Sequence, residues 1–246
     1  MVAAVIYSLH GRPTVREQTS VGNARPVVDA AVADVVSAAG PGPVVAVSGF
    51  ASVGSCRITA ARSGASFGRT VDVYTAPGGE PALLRRIVAG LPARYHAKVT
   101  GAATGLYADA GDYVALVGTV PAPGQVQVRA LTGCRDPAGS DVSEPVTAAG
   151  SAAFGAVSAV FDRLALRAGV PRDVAVLTCA GGGQLRAVQA AGGSVASPLG
   201  SALAGLSSNP VASGPTTYVY RTGDVDVVAR RTPQGVTVTA TTRCPA

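Results

Sequence analysis

Hydrophobic and polar residues alternate in two segments of the chain, residues 125–134 and 235–244. A period of two over eight or more residues is typical of a half-buried β-strand, with one face in the core and one in solvent. Each segment follows a proline-containing turn and ends in a cysteine, Cys134 or Cys244. The pattern therefore predicts two equivalent strands, and it is the first indication of an internal repeat.

Helical periodicity occurs earlier in each half. Residues 26–39 place Val28, Val32 and Val35 on one face, and residues 151–168 place apolar side chains at similar spacing. Glycine and proline follow both segments, at 40–43 and at 169–171, and these residues end helices. Both segments are predicted to be amphipathic helices that open their halves of the chain.

The remaining elements occur in the same order in both halves. Strands are predicted at 55–60, 70–75 and 111–117 in the first half, with a helix at 80–90. Strands at 173–180, 184–189 and 223–229, with a helix at 198–206, are predicted in the second. The predicted fold class is α+β, with two tandem α-β-β-α-β-β repeats, each an antiparallel sheet with helices on one face.

The repeat implies a division of the chain. We expect an N-terminal tail at 1–25, repeat 1 at 26–136, a linker rich in Ala, Gly and Ser at 137–150, and repeat 2 at 151–246. The segment Met1 to Tyr7 is apolar but too short to span a bilayer. It could be the end of a signal anchor that begins outside this chain, or simply a frayed terminus.

The four cysteines are Cys56, Cys134, Cys179 and Cys244, and no CxxC motif occurs. Their even number and wide spacing favour two disulfides in an exported protein over a zinc or redox site, although four free thiols in a cytosolic protein are the alternative. Four cysteines allow three pairings. The repeat favours Cys56–Cys134 and Cys179–Cys244, one bond in each half.

Composition narrows the function classes. The chain is 48% hydrophobic and 14% charged, and this combination excludes intrinsic disorder. The net charge is +6, and Lys98 is the only lysine among 20 basic residues. The arginines are scattered and Trp is absent, whereas nucleic-acid-binding proteins concentrate basic residues and interleave them with aromatic ones, so nucleic acid is disfavoured as a partner.

One group of cations could form a basic face in repeat 1. If the first hairpin and the end of the second helix meet, this face would bind an anionic component of a cell envelope, such as a lipid or a polysaccharide. An ordinary solvated surface is the alternative. The residues concerned are Arg57, Arg62, Arg69, Arg85, Arg86, Arg94 and Lys98.

The segment GASFG at 64–68 matches the G-x-S-x-G pattern of the nucleophile elbow in α/β hydrolases. In that reading Ser66 would be the nucleophile and His96 the base. The elbow requires a helix after the serine, but residues 69–74 have the pattern of a strand, so we interpret the segment as a hairpin turn. The chain holds two His and three Glu, so we assign no catalytic residue, no metal site and no cofactor.

With its helix-and-hairpin repeats, widely spaced cysteines, apolar start and Ala/Val/Arg-rich composition, the chain resembles the exported or membrane-anchored envelope proteins of high-GC actinobacteria, such as mycobacteria. The resemblance concerns composition and the order of elements over most of the chain, and it implies no site residue. It implies an extracytoplasmic location, secreted or anchored. We therefore expect a non-enzymatic binding or assembly module that contacts an envelope protein or an anionic envelope component.

Overall fold

The computed structural model describes residues 20–137 and 151–244. These residues form four α-helices and thirteen β-strands, which are arranged in two antiparallel sheets. The predicted α+β class is confirmed, and each half of the chain contains one sheet. We call them sheet A, in the first half, and sheet B, in the second.

Sheet A has seven strands and is accompanied by two helices. A short 3₁₀ turn, Ala93–Tyr95, precedes β4. The elements are α1 (Val21–Ala39), β1 (Val44–Val47), β2 (Ala51–Arg57), β3 (Ser63–Tyr74), α2 (Glu80–Gly90), β4 (Lys98–Thr100), β5 (Gly105–Gly111), β6 (Val114–Ala122) and β7 (Gln125–Arg135).

Sheet B has six strands and is accompanied by two further helices. The second of these helices continues as a 3₁₀ turn, Ala204–Leu206. The elements are α3 (Ala152–Arg163), β8 (Arg172–Thr178), β9 (Gln184–Gly192), α4 (Leu199–Leu203), β10 (Ala212–Ser213), β11 (Thr217–Thr222), β12 (Val225–Thr232) and β13 (Gly235–Thr242).

The two sheets have the same topology. Sheet A runs β2-β3-β7-β6-β5-β4, and sheet B runs β8-β9-β13-β12-β11-β10, so each strand has a counterpart at the same position. The difference is β1, which pairs with the second part of β3, whereas the second half has a single bridge between Ala168 and Gly192 at that place. The match supports the predicted tandem repeat, with more strands in each copy than the sequence indicated.

Two helix bounds differ from the prediction. Helix α1 begins at Val21, five residues before Pro26, because the Ser20 side chain caps it by accepting a hydrogen bond from the Asn23 N–H at 3.2 Å. The expected boundary at residue 25 therefore falls inside a helix. Helix α3 ends at Arg163 rather than Ala168, and Ala165 adopts a left-handed φ of 51°. Residues 1–19 and 138–150, which hold most of the predicted tail and linker, lie outside the described residues.

Helices cover one face of each sheet. Val28, Val32 and Ile87 of α1 and α2 lie in one hydrophobic cluster with the alternate residues Val71 and Val126 of sheet A. In sheet B, the corresponding cluster contains Phe161, Leu199 and Leu203 from the helices, together with Val227 and Val238 from the strands. This arrangement is the one expected for strands that alternate between a helix-covered and a helix-free face.

The two halves pack against each other through the helix-free face of sheet B. Strand β1 lies on β11, β12 and β13, where Val44 and Ala46 are buried against Val219 and Val228. Helix α1 contacts β8, and Leu177 belongs to the same cluster as the core of the first half. One hydrophobic cluster therefore includes residues from both halves.

Candidate functional site

The helix-free face of sheet A carries large side chains that nothing in the described residues covers. Tyr107 is 44% exposed and Val117 is 36% exposed, although both lie in the middle of strands. We call this surface the open face. It comprises Lys98, Tyr107, Val117, Thr119, Gln127 and Arg129.

The strand register explains why these residues share one face. Leu106 and Ala108 point into the helix-covered core, so Tyr107 between them points the opposite way. Leu116 likewise lies in the core, while its neighbour Val117 faces solvent. The open face is therefore a direct product of period-two alternation in β5 and β6.

Four of these side chains, together with Thr70 of β3, form one cross-strand row, which we call the Tyr107 row. Lys98 pairs with Tyr107, Tyr107 with Val117, Val117 with Arg129, and Arg129 with Thr70. Neighbouring residues in such a row lie about 5 Å apart across the strands. The row places an aromatic ring and an aliphatic side chain between two cations.

A shallow groove of about 650 Å³ follows the β4–β6 end of this face. The Lys98 ammonium lies 5.8 Å from the centroid of the Tyr107 ring, a cation–π arrangement that orients both side chains. The lining combines hydroxyl groups, apolar surface and this cation. Its residues include Lys98, Thr100, Thr104, Tyr107, Val117 and Thr119.

A second row leads from the groove to a pocket between the two halves. Thr119 pairs with Gln127, and Gln127 pairs with Asp72. Asp72 lines a pocket of about 180 Å³ that sheet B closes from the other side. The polar lining residues of this inter-half pocket are Ser48, Asp72, Gln189, Arg230, Thr232, Thr237 and Thr239.

The charges in the inter-half pocket are paired. Asp72 Oδ2 lies 2.9 Å from Arg230 Nη2, and Asp72 Oδ1 accepts hydrogen bonds from the Gln125 and Gln127 amides, each at 2.9 Å. Arg230 also donates to the Tyr74 hydroxyl. Burial raises the pKa of Tyr74 to about 12, with Asp72 adding to the rise and Arg230 opposing it. The pocket is a satisfied polar contact between the halves.

The equivalent face of sheet B is covered. Following the same register, the counterpart of the Tyr107 row is Ala212, Val219, Val228, Thr239 and Gln189, which we call the Val219 row. Val219 and Val228 are buried there beneath β1. The same position in the repeat is thus occupied in one copy and exposed in the other.

The predicted basic face is not a single surface. Arg69 is 1% exposed, and its Nε donates to Asp29 Oδ1 at 2.6 Å, so it is a buried structural cation and not a surface ligand for anions. This corrects the prediction for Arg69. Arg69 alternates with Val71 and Val73 of β3, which lie in the helix-covered core, so ordinary strand alternation points its side chain toward α1.

The other six predicted cations are spread over the first half. Arg57 and Arg62 lie by the β2 edge of sheet A, where Arg62 pairs with Asp136 at 3.5 Å. Lys98 lies in β4 at the opposite edge, roughly 24 Å away across five strand spacings. Lys98 is the member of this predicted set that lies on the open face. Arg85 and Arg86 lie in α2, and Arg94 lies in the 3₁₀ turn after it, stacked on Tyr95.

Sequence reasoning missed Tyr107, Val117 and Arg129. The signal was present, because the LYADA segment at 106–110 alternates and puts its tyrosine at an outward position. Arg129 occupies an outward position of a strand that was predicted. What the sequence could not reveal was which face of sheet A stays uncovered.

The GASFG segment lies inside β3 and is not a turn as predicted. Ser66 pairs with Cys134 of β7, and the chain remains extended on both sides of it. Gly64 and Gly68 are required by strand packing, since a Cβ at Gly64 would lie 2.7 Å from the Arg135 carbonyl oxygen. The segment lacks the strand-turn-helix geometry of a nucleophile elbow. His96 is exposed in the loop before β4.

Both disulfides occur at equivalent places in the two sheets. Cys56 of β2 is bonded to Cys134 of β7, and Cys179, just after β8, is bonded to Cys244, just after β13. Each bond therefore joins two strands that flank a common neighbour, β3 or β9. The observed pairing is the one favoured by the repeat, and disulfides are typical of oxidising compartments.

The described residues contain no group of three or more His, Cys, Asp or Glu side chains that could hold a metal ion. Among the helices at 21–39, 80–90, 152–163 and 199–203, none is long and apolar enough to cross a membrane. No protein-family model matches the chain, and neither a curated protein nor a solved structure matches it.

Proposed function

We propose that the protein is an extracytoplasmic, non-enzymatic binding or assembly module of the cell envelope and that it binds its partner on the open face. The observation that carries the proposal is the contrast between the repeats. The Val219 row is buried under β1, while the Tyr107 row leaves Tyr107 and Val117 exposed. Exposed aromatic and aliphatic side chains grouped on one surface are characteristic of interaction sites.

The extracytoplasmic location is supported by the two disulfides. Both join residues distant in sequence, with separations of 78 and 65 residues, and none of the cysteines in the described residues is free. Such bonds persist in secreted proteins and are rare in the reducing cytosol. The resemblance to envelope proteins of actinobacteria agrees with this location.

Photo-crosslinking in cells that make the protein tests the proposal. We would introduce p-benzoylphenylalanine in place of Val117 and, as a matched control, in place of the exposed Ala89 on α2. A discrete adduct from position 117 that position 89 does not give is the expected result. Mass spectrometry of the adduct, found in the extracytoplasmic fraction, then identifies the class of partner.

Two results would contradict the proposal. One is the absence of any adduct from position 117, or the same adducts from both positions, because a specific site must differ from ordinary surface. The other is alkylation of free thiols at Cys56 or Cys179 in intact cells, because reduced cysteines would place the protein in a reducing compartment.

Binding of an anionic lipid or polysaccharide is the second candidate function. Lys98 and Arg129 flank the exposed Tyr107 and Val117, and this geometry favours an anionic ligand on the open face. Because Arg69 is buried, it does not contribute to the predicted basic face of repeat 1. A serine hydrolase using Ser66 has no comparable support, because Ser66 lies within a strand.

A further inference from the structure

We propose that the open face binds an extended, acidic polypeptide segment of a partner protein, in the way that the face of sheet B binds β1. This inference rests on the proposed function and specifies the class of partner. The molecule itself provides the template: a four-residue extended strand, Val44–Val47, lies on the face of sheet B that corresponds to the open face.

The template fixes the general shape of the ligand. In sheet B, Val44 and Ala46 of β1 contact Val219 and Val228, so alternate small apolar side chains of the strand pack on the row. Tyr107 and Val117 occupy the same two positions in sheet A. A segment with small apolar residues at its centre therefore suits the centre of the Tyr107 row.

The flanks of the two rows differ in charge. Ala212 and Thr239 flank the buried pair in sheet B, whereas Lys98 and Arg129 flank Tyr107 and Val117 in sheet A. Charge complementarity at these flanks favours acidic side chains on either side of the apolar centre. The open face is thus expected to select an acidic segment and to reject a basic one.

The anchoring of the strand also differs between the copies. In sheet B, Arg221 and Asp226 bind the backbone of the β1 region, Arg221 through the Pro41 and Pro43 carbonyls at 2.6 Å each. The register puts Asp109 and Ala115 at these positions in sheet A. The open face lacks this backbone anchor, so we infer a reversible contact where sheet B has a permanent one.

The test uses the full chain with both disulfides intact. A synthetic peptide with the β1 sequence VVAV and one aspartate at each end is titrated into isotopically labelled protein, and backbone amide shifts are followed by NMR. We expect saturable shifts confined to β4–β7. A peptide with one lysine at each end, used as the control, should give none of these shifts.

Single substitutions test whether the flanking cations Lys98 and Arg129 contribute to binding of the acidic peptide. Lys98→Gln and Arg129→Gln should each lower the affinity for the acidic peptide by about threefold, which is the usual effect of losing a solvent-exposed ion pair. Arg85→Gln, which removes an exposed cation on α2, should leave the affinity unchanged. Equal binding of the acidic and lysine peptides, or an equal effect of all three variants, would overturn the proposal.

Other ligand classes are outcomes of the same titration. Polygalacturonate or vesicles containing phosphatidylglycerol that shift β4–β7, with no shift from the acidic peptide, would overturn the peptide assignment in favour of a glycan or a membrane. Absence of shifts with every probe would also overturn it. Neither result affects the photo-crosslinking at Val117, so failure of the peptide assignment is distinguishable from failure of the proposed function.

Discussion

The carboxylate of Asp226 accepts a hydrogen bond from the backbone N–H of Val45 at 3.0 Å, across 181 residues of sequence. Val45 lies in β1, an edge strand of sheet A, and this contact satisfies one of its edge N–H groups. Arg221 and Arg243 lie 2.7 Å and 3.0 Å from the same carboxylate. One fully buried side chain of the second half therefore joins a strand of the first half to two arginines.

Replacement of Asp226 by asparagine should destabilise the whole protein. The carboxylate is completely buried, and its loss leaves two guanidinium groups without their anion, which costs about 3 kcal/mol in the free energy of unfolding. Denaturant unfolding measures the change. Asp224→Asn, in the exposed turn before β12, is the matched control and should change stability by less than about 0.5 kcal/mol. Similar values for the two variants would contradict this account of the contact.

Arg69→Gln should also be strongly destabilising, by about 3 kcal/mol, because it removes a fully buried guanidinium that pairs with the partly exposed Asp29 and takes the donor from two backbone carbonyls. The Arg69 guanidinium donates to Asp29, to the Ser48 carbonyl at 3.1 Å and to the Val174 carbonyl at 2.7 Å. It thereby links α1, the end of β1 and β8. Thermal unfolding compared with Arg57→Gln, an exposed cation in β2, provides the test. An equal, small effect of both variants would mean that Arg69 has no structural role.

The sequence pattern correctly predicted helices and strands that bury only one of their faces. The alternation at 125–134 and 235–244 identified β7 and β13, and the second helix, Glu80–Gly90, was predicted with its observed bounds. Strand β1 was missed because Val44–Val47 is buried on both faces and therefore shows no alternation. A strand buried between two layers has a continuously apolar sequence without alternation. Its role as a strand becomes clear only when the second half is seen to cover one of its faces.

The candidate site was harder to predict than the fold. Charge in the sequence pointed to seven cations in repeat 1, but Arg69 shares the helix-covered face of β3 with Val71, and the sheet separates Arg57 from Lys98. Exposure of Tyr107 depends on where sheet B packs, which is a long-range property of the chain. Local pattern thus identifies which residues face outward and cannot identify which outward face remains uncovered.

Removal of the second disulfide should destabilise both halves together. In the chain-entropy description, a loop of 65 residues closed by Cys179–Cys244 contributes about 4 kcal/mol. Because one hydrophobic cluster spans α1 and Leu177, the double variant Cys179→Ser/Cys244→Ser should still unfold in one transition, at a lower temperature. Calorimetry decides the matter. Two separate transitions, with the first half unaffected, would show that the halves are independent.

Glu80 should make stability depend on pH in the acidic range. The backbone N–H of Gly124, followed by that of Glu80 itself, lowers the pKa of this carboxyl below its ordinary value. A carboxyl whose pKa is lowered by folding stabilises the folded state at neutral pH, and the stabilisation is lost as the pH falls through the folded-state pKa. The stability difference between wild type and Glu80→Gln should therefore be largest near pH 7 and shrink below about pH 4. Denaturant unfolding at several pH values measures it, and a difference that stays constant with pH would contradict the assignment.

Strand β1 has a consequence for the valency of the molecule. A tandem repeat ordinarily offers two copies of any surface and can gain avidity from binding a repeated ligand at both. Here β1 covers the Val219 row, so within residues 20–137 and 151–244 the accessible copy is the Tyr107 row. If the open face binds a partner segment as proposed, we expect one segment per molecule despite the internal symmetry, without bridging of two.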